Sequence, residues 1–304
     1  METFMANARD VITCILVSLT MAGAVPASAQ TPARLPVVAT FSILADFARN
    51  VGGERINVVA LVGPDGDTHV YQPKPADAKE LGAGRLIVVN GLGLEGWIDR
   101  LIKASGAKAP VIVATKGINA QKMREEGRIG LDPHAWQSIA NAKVYVANIR
   151  DGLIAADPEG EAVYRANADN YLATLDALEA EVKREIAKIS PGRRQIITTH
   201  DAFGYFGTAY GFRFIAPEGI STETEASARD VAKIIRQIKA QKIPAVFLEN
   251  VTDPRLARSI AAESGAKIGG TLYSDALSPP DGPASTYIDM MRNNVRELAA
   301  ALAN

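Results

Sequence analysis

Short apolar, β-branched runs recur along the chain: Pro36–Ser42, Ile56–Val62, Leu86–Asn90 and Val111–Thr115, then Gln195–Thr199, Phe212–Ala216, Ala245–Glu249 and Lys267–Tyr273. Many are separated by stretches with helical periodicity. Short runs that are apolar throughout suit strands covered on both faces, and their alternation with helices predicts βα units and parallel sheets. Between the two sets, Val163, Ala166, Tyr171, Leu172, Leu175, Leu178, Val182, Ile186 and Ile189 follow a period near 3.6. Asp157-Pro158 starts that pattern and Ser190-Pro191-Gly192 stops it. The spacing predicts one helix over Pro158–Ile189, ~48 Å long at 1.5 Å per residue, reaching both sets of strands. Two helices broken near Asn167–Asn170 are the alternative, because helices average about 11–12 residues.

The two sets resemble each other. VVATFSILADFARNVGG at 37–53 matches IITTHDAFGYFGTAYG at 196–211 in pattern, at an offset of 159, and Ser105-Gly106-Ala107-Lys108 recurs at the same offset as Ser264-Gly265-Ala266-Lys267. Lys79 and Asn90 are echoed by Lys239 and Asn250. Three matches in order suggest a duplicated lobe. The predicted fold is therefore α/β: two βα lobes with parallel sheets, joined by one long spine helix, with a ligand cleft between them. The expected boundaries are a leader over 1–29, an N-terminal lobe over 30–156, the spine over 157–190 and a C-terminal lobe over 191–304.

The first residues qualify this picture. A short apolar stretch, VITCILVSLTMAGAV, ends near Ala27-Ser28-Ala29, a small-x-small pattern that predicts a signal peptide cleaved before Gln30. The run is too short to span a bilayer, which takes ~20 residues. Cys14 is the single cysteine; Ile12 and Thr13 before it do not resemble a lipoprotein acylation site. The expected product is soluble, periplasmic and free of thiols, so any metal site must use His and carboxylates. Lys+Arg 33 against Asp+Glu 34 leaves no basic excess to bind nucleic acid.

With three histidines in 304 residues, placement can be weighed one by one. His69 follows the run 56–62, His134 follows 111–115, and His200 stands where QIITT ends. All lie beyond the carboxyl ends of predicted strands, where open α/β sheets bind ligands. Asp275 occupies the equivalent place after 267–273. A lone His in a loop is more often a surface or capping residue, and a lone Asp a turn former; the shared edge is what lifts the group. Three imidazoles and one carboxylate suit Zn²⁺ well, and Mn²⁺ or Fe²⁺ tolerably. Asp67, Asp132 and Asp201 flank the histidines and could orient their second ring nitrogens, although turn formation explains such residues equally well. Phe203, Tyr205 and Phe206 read more readily as core than as a wall around the site. Glu223 and Glu225 read as first-turn acids of a helix over 227–239. Gly91-Leu92-Gly93-Leu94-Glu95-Gly96 is a literal G-x-G-x-x-G, but no acidic residue ends the next strand, so it reads as a structural βα turn. No G-x-S-x-G elbow is present.

The segments GPDGDTHVYQPKPAD (63–77), VVNGLGLEGWIDRL (88–101), DPHAW (132–136), TTHDAFGYF (198–206), GISTETEASARDVAKII (219–235) and GGTLYSDALS (269–278) together resemble the periplasmic zinc/manganese-binding receptors of metal ABC transporters. The resemblance runs over roughly 35–302. It implies a solute-binding receptor rather than an enzyme, with metal ligands at His69, His134, His200 and Asp275, the set already selected. It also implies a stiff spine, and metal release by local rearrangement rather than a wide hinge motion. The implied partner is the permease of an ABC-type metal importer; a periplasmic metallochaperone is a further expected partner, and the receptor is expected to be a monomer. Two departures stand out. The His-rich loop of many zinc members is replaced by INAQKMREEGRIG (118–130), and the third ligand, Glu in many manganese members, is His200. Zinc is the expected cargo, with manganese or iron as the alternative. An exported zinc metallohydrolase is the rival of another class, disfavoured because Asp275 closes the fourth metal position.

Overall fold

A computed structural model describes residues 33–125, 128–219, 221–223 and 226–303. The expected leader and its cleavage site, Cys14 and Glu225 lie outside the described residues. From Ala33 onward the chain forms one compact unit. Among the described residues, no helix is long and apolar enough to cross a membrane.

The first half runs β1 (Leu35–Phe41), α1 (Ser42–Gly52), β2 (Ile56–Val62), α2 (Pro75–Ala83), β3 (Leu86–Val89), α3 (Ile98–Ser105) and β4 (Val111–Val113). A two-stranded antiparallel hairpin follows, β5 (Lys122–Glu125) and β6 (Arg128–Leu131), then the helices α4 (Ile139–Ala156) and α5 (Glu161–Ala187). The second half runs β7 (Gln195–Ile197), α6 (Gly204–Tyr210), β8 (Arg213–Ile215), α7 (Ala228–Gln241), β9 (Ala245–Glu249), α8 (Pro254–Ser264), β10 (Lys267–Leu272) and α9 (Tyr287–Leu302). Every strand expected from the apolar runs is present, shortened by up to two residues at its carboxyl end. The hairpin was not expected: its strands read KMRE and RIGL and carry neither a continuous apolar run nor an alternation.

Both large sheets are wholly parallel, ordered β2-β1-β3-β4 and β10-β9-β7-β8. The first reads 2-1-3-4 in its own half; the second, numbered the same way, reads 4-3-1-2, which is the same order taken from the other edge. The sequence echo at an offset of 159 is therefore accompanied by four parallel strands in each half. Each half has its first strand inside the sheet, and its connections reverse direction there. Such a switch point opens a crevice at the carboxyl ends of the strands.

The spine differs in detail from its expected bounds. Pro158–Gly160 form a 3-10 turn, and α5 then runs unbroken through Asn167–Asn170 for 27 residues, ~40 Å. Its buried stripe is Tyr164, Ala168, Tyr171, Leu175, Leu178, Val182 and Ile186, the spacing of three and four that one helix face demands. At its start, Asp157 accepts from Arg55 and from the Tyr164 hydroxyl. At its end, the Arg194 guanidinium donates to the carbonyls of Ile186 and Ile189, groups that a helix terminus otherwise leaves unpaired.

One apolar core runs through both halves: Phe41 and Phe47 from the first, Tyr145 and Tyr171 from α4 and α5, Phe247 and Tyr287 from the second. Phe47 meets Tyr145 at 5.7 Å, Tyr171 at 6.3 Å and Tyr287 at 4.8 Å between ring centroids. A smaller cluster around Ile197, Val246, Ile234, Ile238 and Ile260 seals the far face of the second sheet under α7 and α8. Polar ties cross the same boundary: the Tyr287 amide donates to Asp46 and the Leu277 amide to Ser42 Oγ. Burial pushes the Asp46 carboxyl up to about 6, against the hydrogen bond from Tyr287.

Candidate metal site

The four residues singled out in the sequence converge. His69 Nε2 stands 3.1 Å from His134 Nε2 and 3.1 Å from Asp275 Oδ2. His200 Nε2 lies 3.2 Å from Asp275 Oδ2, and His134 Nε2 lies 3.6 Å from Asp275 Oδ1. One donor atom from each residue falls within 4.8 Å of all the others. The side chains of His134, His200 and Asp275 are fully buried, and that of His69 is 5 % exposed. A tetrahedral site with metal–ligand bonds of ~2.0–2.1 Å has edges of about 3.3–3.4 Å. The group is thus already spaced to take one small cation.

Each half supplies two of these residues from strand-end loops. In the first, His69 sits in the loop after β2. Its amide donates to Asp67 Oδ1 at 2.9 Å, and Trp97 Nε1 donates to the preceding carbonyl of Thr68. His134 follows the hairpin, where Asp132 Oδ1 accepts from the His134 amide at 2.9 Å and lies 2.8 Å from its Nδ1. Asn90, at the end of β3, donates to the Pro133 carbonyl at 3.0 Å. In the second half, His200 follows β7 and Asp275 follows β10. The Tyr273 amide donates to Asn294 Oδ1 on α9, and Asn294 Nδ2 returns a bond to the Tyr273 carbonyl. The halves are tied at the site itself, since Trp136 Nε1 and Gln137 Nε2 both donate to the Ser274 carbonyl at 2.8 Å.

Of the three flanking aspartates, Asp132 alone meets an imidazole in the expected way. Asp67 instead takes the His69 amide and, through Oδ2, the Thr222 hydroxyl of the second half at 2.5 Å. His200 is served by Glu249 rather than Asp201. Glu249 Oε2 lies 2.6 Å from His200 Nδ1, while Oε1 accepts from the Thr199 and His200 amides at 2.7 and 2.9 Å. Sequence reasoning missed Glu249 because it lies 49 residues from its histidine. The available signal was its place at the end of AVFLE, on the same strand edge as the histidines. Glu223 does not begin a helix: α7 starts at Ala228, with Ser227 as its cap and Asp230 as its first-turn acid. Glu223 instead lines a small cavity of about 230 Å³ that opens onto His69.

The neighbours sort as core or turn. Phe203 stacks on Phe214 at 4.9 Å, and Phe206 packs among Tyr210, Phe212 and Phe214. Tyr205 does reach the site's surroundings: its hydroxyl donates to the Asp132 carbonyl and accepts from the Gln121 amide. The glycine-rich turn holds no phosphate cradle. The buried Glu95 carboxylate accepts from the Asn90 and Gly91 amides and from the Thr40 hydroxyl, so the chain caps these groups itself.

Electrostatics follow from this crowding. Burial pulls the His134 imidazole down, but Asp275 and Asp132 outweigh it and hold it up at about 9. Burial likewise opposes charge on His200, yet Glu249 and Asp275 raise it well above the usual imidazole range. Asp275 is driven up by burial and pulled further down by His134 and His200, ending well below the usual carboxylate range. With Nδ1 of His134 and His200 turned to carboxylates, their Nε2 lone pairs point inward beside Asp275, which is how a carboxylate–imidazole pair prepares a metal ligand.

Residues 37–301 match the family described as zinc-uptake complex component A, periplasmic. A manganese-binding lipoprotein of Halalkalibacterium halodurans is 35% identical over 88% of this chain and 89% of its own length. An iron-binding protein of Yersinia pestis is 34% identical over 89% of this chain and 87% of its own. Among solved structures, the periplasmic zinc-binding protein TroA of Treponema pallidum superposes with a TM-score of 0.84 at 30% identity, covering 89% of this chain and all of that one. A manganese-bound periplasmic metal-binding protein of Candidatus Liberibacter asiaticus gives 0.80 at 32% identity, covering 88% of this chain and all of that one. The relatives are solute-binding receptors rather than enzymes. This chain belongs to the family of periplasmic zinc-uptake components, the metal-binding receptors of ABC transporters.

Proposed function

We propose that the protein captures one divalent transition-metal ion, zinc by first preference, through Nε2 of His69, His134 and His200 and the carboxylate of Asp275, and passes it to the permease of an ABC-type importer. The observation that carries this reading is the convergence of four donor atoms, at 3.1–3.6 Å for the closest pairs, in a buried pocket where two carboxylates orient two of the imidazoles. Three neutral nitrogens and one oxygen match the donor preference of zinc. The family description, which names zinc, supports the same choice. Manganese is the second reading, favoured by the names of several relatives and by Asp275, whose two oxygens both face the histidines and could chelate a larger ion. Zinc wins in a mixed solution whichever metal is the natural cargo, so affinity alone does not separate the two.

The deciding measurement is metal analysis of the protein recovered from its native compartment, with His200→Ala as the control. One zinc per chain, absent from a folded His200→Ala protein, is the expected result. Manganese in that position selects the second reading, and a metal-free native protein that hydrolyses substrate overturns both. We also propose that the mature chain is released after Ala29 rather than tethered by a lipid. Intact-mass measurement of the exported protein tests this, an acylated or uncleaved chain being the opposing result.

A further inference from the structure

The sequence echo that pairs Asn90 with Asn250 falls on equivalent places in the fold. Each asparagine directly follows the third strand of its half, β3 or β9, and both strands lie inside their sheets. Asn90 Nδ2 donates to the carbonyl of Pro133, the residue before His134, and its Oδ1 accepts from the Tyr145 hydroxyl at 2.6 Å. Among the described residues, the side-chain bonds of Asn90 stay within the first half. Asn250 does more. Its Oδ1 accepts from the Ser274 amide at 3.3 Å and its Nδ2 donates to the Ala276 carbonyl at 3.2 Å, so one side chain brackets Asp275. The same Nδ2 donates to Asp65 Oδ1 at 3.0 Å, in the loop of the first half that carries His69. A second bond runs beside it: the Asp65 amide donates to the Leu277 carbonyl at 2.9 Å. Asp65 takes the left-handed conformation, with φ 53°, which aspartate tolerates better than most residues.

We propose that Asn250 is a positioning residue that fastens the His69 loop to the Asp275 loop, so that the two are held, and yield, together. The proposal rests on the receptor reading above and names the side chain that couples its two halves at the site. Displacing the His69 loop pulls on Asn250, and through it on the peptide groups on either side of Asp275. An ion bound to all four residues would then lose the donors of both loops in one step rather than in turn. Asn250 also directly follows Glu249, the carboxylate 2.6 Å from His200 Nδ1, so the same strand end serves three of the four residues. The effect of the clasp is bounded, because Asp65 is exposed and Asp67 ties the same loop to Thr222 independently.

The test compares the purified wild type with Asp65→Gly, Asn250→Ala and the double variant. Glycine accepts the left-handed conformation at position 65, so the first variant cuts only the arm that reaches the His69 loop. Each protein is loaded with zinc, and dissociation into excess chelator is followed by stopped flow. Each single variant is expected to speed dissociation by about two- to tenfold, the range that one hydrogen bond commands. The double variant is expected to go no further than Asn250→Ala, because both changes remove the same bond. Looseness brought by glycine itself would act in both backgrounds and show as a further increase. In the metal-free protein, hydrogen exchange at the Asp65 amide should quicken in Asn250→Ala, and at the Ser274 amide in Asp65→Gly, with exchange in α5 unchanged. Wild-type dissociation from Asp65→Gly overturns the proposal, as do effects that multiply in the double variant. A fall in melting midpoint with dissociation and exchange as in wild type overturns it too, leaving Asn250 a loop support only. Should Asn250→Ala fail to fold, Asp65→Gly decides through dissociation and Ser274 exchange. A wild-type protein that takes up no zinc removes the receptor reading, while the exchange measurement still tests the clasp.

Discussion

The site has a back and a front, and the two are built differently. At the back, His134, His200 and Asp275 are fully buried. Asp132 and Glu249 back the two imidazoles, and Trp136, Gln137 and Asn294 hold the loop that carries Asp275. At the front, His69 stands at the mouth in a loop held by its own turn aspartate and by Thr222 across the cleft. The back is packed from both halves, yet buried atoms there, among them His200 Nδ1, Glu249 Oε2 and Asp275 Oδ1, have no hydrogen-bond partner among the described residues, whereas the front has the only solvent contact among the four residues. A receptor must bind tightly and still let go. On the proposed function, this division would place affinity in the fixed part and ligand exchange on the side that can yield, because the loosely held elements of a fold are the ones that move.

The contrast is broken most directly by removing one ligand from each side. His200→Ala takes an imidazole from the back, leaves Glu249 buried without its partner, and is expected to abolish measurable metal binding by titration calorimetry. His69→Ala leaves three of the four donors in place and is expected to bind weakly but measurably. Equal loss from both variants would show that the back holds no privileged share of the affinity. Circular dichroism of each variant separates loss of the site from loss of the fold.

Acidity sharpens the same point on a smaller scale. Without metal, the carboxylates around the back favour protonated imidazoles, raising His134 to about 9 and His200 as well. A metal ion must displace them, so apparent affinity is expected to climb with pH from about 6.5 toward 9, by up to about tenfold per unit for each proton released. The stability of the empty protein follows the opposite sign. A raised imidazole contributes fully below its unfolded value near ~6.5, and that contribution is lost as pH rises through about 9. Asp275, held low, contributes above the unfolded carboxylate range and loses its share as pH falls into acid. Calorimetry in buffers of different ionisation enthalpy counts the protons directly; no net release near neutral pH would contradict the account.

The carboxylates behind the imidazoles come next. Glu249→Gln and Asp132→Asn keep size and most hydrogen bonds but remove the charge that polarises each ring. Each is expected to lower metal affinity by about 10–100-fold, with Asp67→Asn, whose carboxylate bonds the His69 amide rather than a buried ring, falling below that range. The ordering is checked by competition with a chelator of known affinity. These residues also mark how far the sequence could be read. The strands were legible because full burial writes an unbroken apolar run, as in LIVV and AVFLE. The converging residues were legible because three histidines in the whole chain could be placed at strand ends one by one. Asp132 was legible only as one of three flanking aspartates, because Asp67, also two residues before its histidine, takes the backbone amide and not the ring. Glu249 was not, since its pairing with His200 exists only after β7 and β9 lie side by side. The hairpin escaped for the converse reason: KMRE and RIGL carry neither an apolar run nor an alternation.

Tyr205 offers the finest adjustment of the boundary between back and front. Its hydroxyl ties the segment entering the hairpin, through the Gln121 amide, to the Asp132 carbonyl beside His134. Tyr205→Phe keeps the ring in the core and deletes both hydrogen bonds, a change of about 0.5–1.5 kcal/mol for each bond and more where an acceptor stays buried and unpaired. For a chain of this length 1 kcal/mol moves the melting midpoint by about 2–4 °C, so a shift of a few degrees is the expected readout by calorimetry. Metal affinity should change by less than about tenfold, because Asp132 keeps its contact with the His134 amide and ring through its carboxylate. A large loss of affinity from so small a change would mean that the hairpin helps to position His134, and that the back of the site extends to the mouth.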